Sequence, residues 1–526
     1  MHWVDVIAKE LLEQKSHHVI ASGTSISGEI HIGNAGDVIM ADSIRRSIEE
    51  HGGTARLLWI ADDFDPLRKV PKQMPPEFSK YLGMPVSSLP DVDGCHKSFV
   101  EHHVDIFVNS LGMLGVRPII RSGAELYQSG KYDELTRTAI EKASEIINIF
   151  KEVSGSERPQ DWIPFDPICQ NCGKIATTHA YGYENDKILY KCRGGVAGKQ
   201  KIEGCGHEGS AEPRNGKLAW RVEVAARWKM MGITCEPFGK EHTAAGGTCD
   251  TATVITKRIF NYEPPKIVHY EHILVGGQKM SKSLGNIITL EDMLAVAPPE
   301  ITRFFFFRTK ATKHKDFDIT TNLIQLIEDY EHIERLYYGV DKPSPQEDAE
   351  ELKRTYELSQ LAKAESKFFQ VPYRHLISTV QIKNNWEELI KTLARTEHLA
   401  KLDDNTEIKL KQKIDNVRKW LERLAPESEK FKIQETLEIS TISALTNEQK
   451  AAISELVNVF ENIEWTPENI HKSIYNTSEK LQVQPKAIFQ AIYLLFLSKQ
   501  IGPRIGYFLG SLDRDFVIER LKAASA

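Results

Sequence analysis

The stretch from His17 to Asp63 limits the fold most tightly. "HHVIASG" is a short apolar run that predicts a buried strand over Val19 to Ala21, ending at Gly23. The segment from about Ile32 to Glu50 predicts a helix, with Gly52 and Gly53 stopping it. "ARLLWIADD" is the next strand. Strand, helix and strand joined by tight glycine-rich turns suggest a parallel sheet with right-handed crossovers. The expected fold class is α/β, a doubly wound, Rossmann-like parallel sheet. The turn "SGEIHIGNAGDV", residues 27–38, then falls at the carboxyl edge of that sheet, where such folds take ligands.

A helix start suits an anion, because its first amides lack intrahelical acceptors and the dipole is positive there. Gly28 and Gly33 let a ligand approach the backbone, and His31 and Asn34 add side-chain donors. The plain alternative is a helix start with glycines for packing. A second element weighs against it. "GGQKMSKSLGN", residues 276–286, is a glycine-bounded loop carrying Lys279 and Lys282 that forms no amphipathic pattern. Two ammonium groups on such a loop neutralise a triphosphate, above all the charge that builds on a leaving pyrophosphate. Alone, the loop reads as a solvated turn; with residues 27–38 in the same chain it reads as the second half of a nucleotide site.

The chain has 526 residues, enough for three or more domains with sizeable cores. Its longest apolar runs, "AIFQAIYLLFL" and "RFFFFR", are too short to span a bilayer. The start, "MHWVDVIAKELLEQK", is charged and lacks a signal-peptide core, so a cytoplasmic protein without a membrane partner is expected. A net charge of −6 argues against a general nucleic-acid coat but permits a local basic surface. Residues 66–98 are rich in proline and polar residues and read as an ordered loop, and 131–153 predict a helix. Sheet-like patterns return with "CEPFGKEHTAAGG" and "KIVHYEHILVGG", the pattern beyond about 318 is almost wholly helical, and "SPQEDAEELK" around 344 predicts a linker.

Seven cysteines without a secretion signal favour thiols or metal ligands over disulfides. Residues 165–217, short in segment and rich in Cys, Gly and Lys, read as an inserted, metal-stapled module. There "CQNC" (Cys169, Cys172), followed by Cys192 and Cys205, makes a zinc-ribbon pattern, with His207 as the alternative fourth ligand. "DVDGCHKSFVEHH" holds a second group, Asp91, Cys95, His96 and His102, whose spacing alone favours a surface helix with ordinary histidines.

H-I-G-N followed far downstream by K-M-S-K-S resembles the signature pair of class I aminoacyl-tRNA synthetases, with Asn34 where the usual motif ends in histidine. Beyond the signatures, the chain is similar to the class I lysyl-tRNA synthetases found mainly in archaea and some bacteria. The similarity runs from "HWVDVIA" through "DDFDPLRKVP", "YLGMP", "GCHKSFVEHH", "WRVEVAARW", "PFGKEHTAAGG" and "YEHILVGGQKMSKSLGN" to "GPRIGYFLGSLDRDFVIERL". It implies a lysine–tRNA ligase that uses ATP, with magnesium, to make lysyl-adenylate and then charges tRNA(Lys). It also implies a zinc-bearing insertion and an all-α C-terminal anticodon-binding domain. The division it suggests is 1–90 and 218–300 for the two catalytic halves, 91–217 for the inserted acceptor-stem and zinc module, 301–345 for a stem-contact connector and 346–526 for the anticodon-binding helices. His31, Asn34, Lys279 and Lys282 are then the catalytic groups, and Gly28, Gly33, Met280, Ser281 and Ser283 complete the ATP site. Gly23, Ser25, Asp62, Trp220, His242 and Tyr270 are the lysine-pocket candidates: an ammonium needs a carboxylate and its stem suits an aromatic wall. Structural caps and core packing are the ordinary alternatives for the aspartates, Trp220 and Tyr270. With the resemblance, Asp91, Cys95, His96 and His102 become a second zinc site, and "RTKATKHK", residues 308–315, a contact for the inner bend of the tRNA. A monomer is expected. Two other readings stand beside this one. A glutamate-specific synthetase should place arginine near its amino acid, yet the first arginine after residue 20 is Arg45. The other is a non-catalytic lysine- or tRNA-binding paralogue.

Overall fold

The apolar run after Lys15 pairs along its whole length with the one after Gly53. β1 (His17–Ser25) and β2 (Thr54–Asp62) lie parallel, in register from His17 opposite Thr54 to Ser25 opposite Asp62. β1 is longer than its apolar middle, because its polar ends are hydrogen-bonded to β2 as well. The helix that joins them, α1 (Ile32–Glu50), has the bounds its sequence predicts. It is buried on nearly every side, from Ala35 through Ile44, as a crossover helix packed between a sheet and further helices must be. The structure is a computed structural model that describes all residues except 72–73, 281–286, 364–367, 397, 400–401 and 526.

Three more strands complete a five-stranded sheet: β3 (Ile119–Ser122), β4 (Cys235–Gly239) and β5 (Lys266–Tyr270). The order is β5-β4-β1-β2-β3 and every pairing is parallel. The strand order reverses at β1, beside β4. That is the switch point where loops leave the sheet in opposite directions and open a crevice. The turns that follow β1, β2, β4 and β5 all emerge at this one edge.

The insertion opens and closes on one short antiparallel pair, Phe165–Pro167 with Gly216–Leu218. Between them lie a three-stranded antiparallel sheet and the hairpin Gly194–Ala197 with Gln200–Glu203. Residues 131–153 form two helices rather than one, Asp133–Glu141 and Ala143–Ser154, with the break at Lys142 (φ −101°, ψ 20°). "RFFFFR" ends a core helix, Pro299–Phe307, in which Phe304 to Phe307 are all buried. Its Arg303 is fully buried too, and its guanidinium donates to the Leu114 and Leu358 carbonyls and to Asp42. The polar run read as a linker contains a helix, Ala349–Ser359, because Asp348 caps it and Arg354 anchors it to Asp5. Residues 343–364 therefore group with the sheet, in a compact unit made of 1–294, 299–318 and 343–364.

The second compact unit, 295–298, 319–342 and 365–526, is built of helices. Its core includes Leu456, Phe460, Ile470, Ile474, Ile492, Phe496, Phe508 and Leu521. Several of its helix starts are capped by side chains: Thr446 and Gln449 form a reciprocal capping box, and Thr466 caps a helix with Pro467 in its first position.

Candidate active site

α1 starts immediately after His31, whose backbone is extended (φ −86°, ψ 163°). An isolated antiparallel bridge joins His31 to Thr289, and the Ile32 amide donates to the Ile288 carbonyl at 2.7 Å. The turn is thereby clamped to the chain just beyond the lysine loop. The Asn34 and Ala35 amides both donate to the His31 carbonyl, at 2.9 and 3.2 Å. Three of the first four helical amides therefore have main-chain acceptors. The open helix start expected from sequence is largely closed, and the donors left for an anion are chiefly side chains.

The opposite wall is a hairpin, Ile273–Val275 with Gln278–Lys279, turning at Gly276 and Gly277. Both glycines have positive φ (57° and 75°), as a two-residue turn matched to strand twist requires. This hairpin delivers Lys279 and Met280 to a cleft of about 590 Å³ that His31, Gly33 and Asn34 also line. Ser281, Lys282 and Ser283 lie outside the described residues. Gly33 fits because it has no side chain: a Cβ there would stand 2.9 Å from the His31 ring and 3.4 Å from Met280 Cε. Gly28, at φ 130°, turns away and lines a neighbouring cavity with His102 and Thr289.

Sequence reasoning missed several residues of this cleft. Glu241, in the short helix Lys240–Thr243 that follows β4, takes the Lys279 ammonium at 3.1 Å, with His272 at 3.4 Å. Burial alone would raise the Glu241 carboxyl, but hydrogen bonds, the one from Lys279 among them, hold it below its usual range. Lys315 reaches the cleft from the basic run "RTKATKHK". In that run Lys310, Lys313 and His314 are exposed while Lys315 is buried. Burial first, and Arg308 second, push its ammonium down to about 8. Asp37 does not line the cleft itself; buried on α1 beside the cleft residue Tyr270, its carboxyl is pushed well above the usual range by desolvation, against the pull of its hydrogen bond with Tyr270. The sequence marks Lys315 only as part of a basic run and marks neither Glu241 nor Asp37, since their neighbours come from distant segments.

The lysine-pocket candidates divide into two places. Gly23, Asp62 and Trp220 meet around Arg227: the buried guanidinium pairs with Asp62, lies 3.2 Å from the position of a Gly23 Cβ, and sits over the Trp220 ring at 5.6 Å. Ser25 donates to Asp65, which pairs with buried Lys217, itself 2.8 Å from Glu223. For both cations burial disfavours charge, but the flanking carboxylates outweigh it and raise them. His242 joins this group through its ring, 6.1 Å from Trp220, and burial lowers its imidazole. Tyr270 instead lines the cleft beside His31 and Lys279. An arginine does therefore border the candidate pocket, although residues 20–44 contain none. It comes from 204 positions beyond Gly23 (227 − 23) and is neutralised by Asp62.

Both metal groups assemble. The Sγ atoms of Cys169, Cys172, Cys192 and Cys205 all lie within 4.8 Å of one another. Cys169 and Cys205 are 3.6 Å apart, Cys172 and Cys192 3.8 Å. Four thiolates about 2.3 Å from a tetrahedral zinc stand about 3.8 Å apart, so the donor set fits that ion. His207 is not among the four; its ring stands beside Tyr190. The second group also converges, with Cys95 Sγ 3.1 Å from His96 Nδ1 and 3.2 Å from His102 Nδ1, and Asp91 3.4 Å from His102. The Asp91 carboxylate also accepts the His96 amide at 2.8 Å.

Residues 1–362 match the family described as tRNA synthetases class I (K), and residues 409–525 match the family described as anticodon binding domain. A parallel sheet with this cleft at its switch point, followed by a helical anticodon-binding domain, defines a class I aminoacyl-tRNA synthetase. A lysine–tRNA ligase of Methanosphaera stadtmanae is 39% identical over 540 residues, 99% of each chain. One of Archaeoglobus fulgidus is 39% identical over 527 residues, 100% of each, and one of Methanocaldococcus jannaschii 37% over 538 residues, 99% of each. The chain belongs to the lysine–tRNA ligase family of that class.

Proposed function

We propose that the cleft between His31 and Lys279 holds the triphosphate of ATP while L-lysine is activated, and that the same chain then charges tRNA(Lys). In the first step a lysine carboxylate oxygen attacks the α-phosphorus, and the bond to the β-phosphate oxygen breaks. The attacking group is already an anion, so no general base is needed, and catalysis is positioning plus charge stabilisation. His31 and Asn34 donate to phosphate oxygens. Lys279, Lys282 and Lys315 take up the negative charge that develops on pyrophosphate. Lys279 must leave Glu241 to do so, an exchange of one anionic partner for another. In the second step the terminal adenosine's hydroxyl of the tRNA attacks the lysyl carbonyl and AMP leaves.

Asp62, with one oxygen on Arg227 and the other toward Gly23, is the acceptor assigned to the substrate amine, beside Trp220 and His242. Zinc on Cys169, Cys172, Cys192 and Cys205 would be structural, stapling an insertion too small to bury a core of its own. Asp91, Cys95, His96 and His102 would hold a second ion in the same way. Magnesium, when bound with ATP, would supply further neutralisation of the phosphates. The insertion serves the acceptor end of the tRNA and the C-terminal helices its anticodon. Because nucleotide cleft and anticodon domain lie in one chain, a cytoplasmic monomer suffices.

The observation that carries this reading is the convergence of His31, Asn34, Lys279 and Lys315 on one cleft. Pyrophosphate exchange across the twenty amino acids, with tRNA present, tests it. Lysine should drive exchange best. A different best substrate would overturn the specificity, and no exchange with any of them would favour a non-catalytic binding protein.

A further inference from the structure

The helical unit holds a cavity of about 1220 Å³ that amino-acid activation does not use. One wall is aromatic. The His398 and Tyr507 rings stack at 5.0 Å and 19°, and His375 stands edge-on to His398 at 4.4 Å. Burial pushes the imidazoles down to about 3 for His375 and about 4 for His398, so at neutral pH this wall is uncharged. The His375 ring is fixed by Thr396, 2.9 Å away.

Another wall is cationic. Arg374 is held in a two-pronged pair with Glu328 (2.7 and 3.2 Å), and Arg335 is held by Asp341 and Gln370 at 2.8 Å each. Arg504 is exposed and forms no ion pair among the described residues. With Arg335, Arg374 and Arg504 against Glu328 and Glu331, and both histidines neutral, the lining carries a net charge of +1 (3 − 2).

Uncharged rings beside an exposed guanidinium match an unpaired nucleotide, whose base stacks and whose phosphate pairs. A stem would find no such use for the rings, since its bases are already stacked on each other. We infer that this cavity receives one unpaired nucleotide of the anticodon loop, its base against the Tyr507–His398 pair and its phosphate at Arg504. The inference rests on the tRNA-ligase reading and extends it. Much of the lining, from Glu328 to His398, lies upstream of the 409–525 segment that matches the anticodon-binding family.

The test uses the full chain and a short hairpin RNA carrying the lysine anticodon loop, with a second hairpin made abasic at the anticodon positions. The wild-type protein should bind the abasic hairpin about tenfold more weakly, the usual scale for one lost stacking contact. Tyr507→Ala should bind both hairpins with the same weakened affinity, while Tyr507→Phe keeps the discrimination. Arg504→Ala should weaken both and lower the slope of log affinity against log salt by about one. Discrimination by Tyr507→Ala equal to that of wild type would overturn the inference. So would unchanged RNA affinity in Arg504→Ala, whose exposed side chain gives no reason for misfolding. Tight uridine monophosphate binding that the hairpin cannot displace would assign the cavity to a small ligand instead. The lysine-driven exchange screen is independent: exchange with lysine alongside wild-type RNA binding by both variants rejects only the cavity, whereas absence of exchange rejects the ligase reading.

Discussion

Gly33→Ala should separate stability from activity. A Cβ at this position lies 2.9 Å from the His31 ring, where ordinary contact begins near 3.4 Å. The imidazole must therefore yield by about 0.5 Å (3.4 − 2.9), while Met280 Cε, 3.4 Å from the same Cβ, stays in ordinary contact. A reacting group misplaced by 1 Å costs about a hundredfold, so half that shift should cost about tenfold in kcat, or about 1.4 kcal/mol of barrier. Folding should move the other way. Gly33 is the second residue of α1, and alanine there favours the helix by up to about 1 kcal/mol. The assays are lysine-driven pyrophosphate exchange with tRNA present and a thermal melt of the same preparation. The expected pair is an unchanged or slightly raised melting temperature with exchange reduced about tenfold. Exchange within twofold of wild type would refute the reasoning, because the His31 ring would then tolerate displacement and could not be a placed phosphate donor.

Lys315, held near pH 8 by burial, should lose its charge in the free enzyme as pH rises through that value. kcat/KM for ATP should fall above about pH 8, and Lys315→Met should lack this limb; an identical alkaline profile in the variant would exclude the residue from the phosphate site. Asp5 accepts from Arg354 at 3.0 and 2.8 Å, and those bonds with Ser47's outweigh burial and lower its carboxyl. Its native value lies below the unfolded one, so its stabilisation is present above about pH 4 and is lost as pH falls through the native value. Urea unfolding should show Asp5→Asn less stable by about 2 kcal/mol at pH 7, with the gap closing toward pH 3; a gap independent of pH would contradict the pairing. Metal analysis of pure protein should find zinc, and Cys169→Ser should lose one equivalent and expose residues 165–218 to protease. Zinc-free protein resistant in that segment would reject the staple.

The parts of the fold that rest on local chemistry were readable in sequence. The bounds of α1 follow from the glycine-rich turn before it and the glycine pair that ends it, and the cysteine group follows from residue type and spacing. Pairings across the chain were not. Asp62 reads as a free carboxylate after a strand, and only the fold brings Arg227 to it, 165 residues later (227 − 62). Lys315 reads as one more cation in a basic run, because nothing in the eight residues says which cation turns inward. The helix at Ala349–Ser359 looked like a linker since its polar face dominates; Asp348 capping and the Arg354 pair with Asp5 decide otherwise. The helix start at His31 showed its donors but not their use, because the Ile288 carbonyl that takes the Ile32 amide comes from beyond the lysine loop.

The most direct measurement is a crystal structure with a non-hydrolysable ATP analogue and lysine bound. The triphosphate should lie within hydrogen-bonding distance of both the His31 imidazole and the Lys279 ammonium, with Glu241 released from Lys279. A nucleotide contacting one of these segments and not the other, or seated in the cavity beside Gly28, would contradict the proposal that the two meet over one ATP.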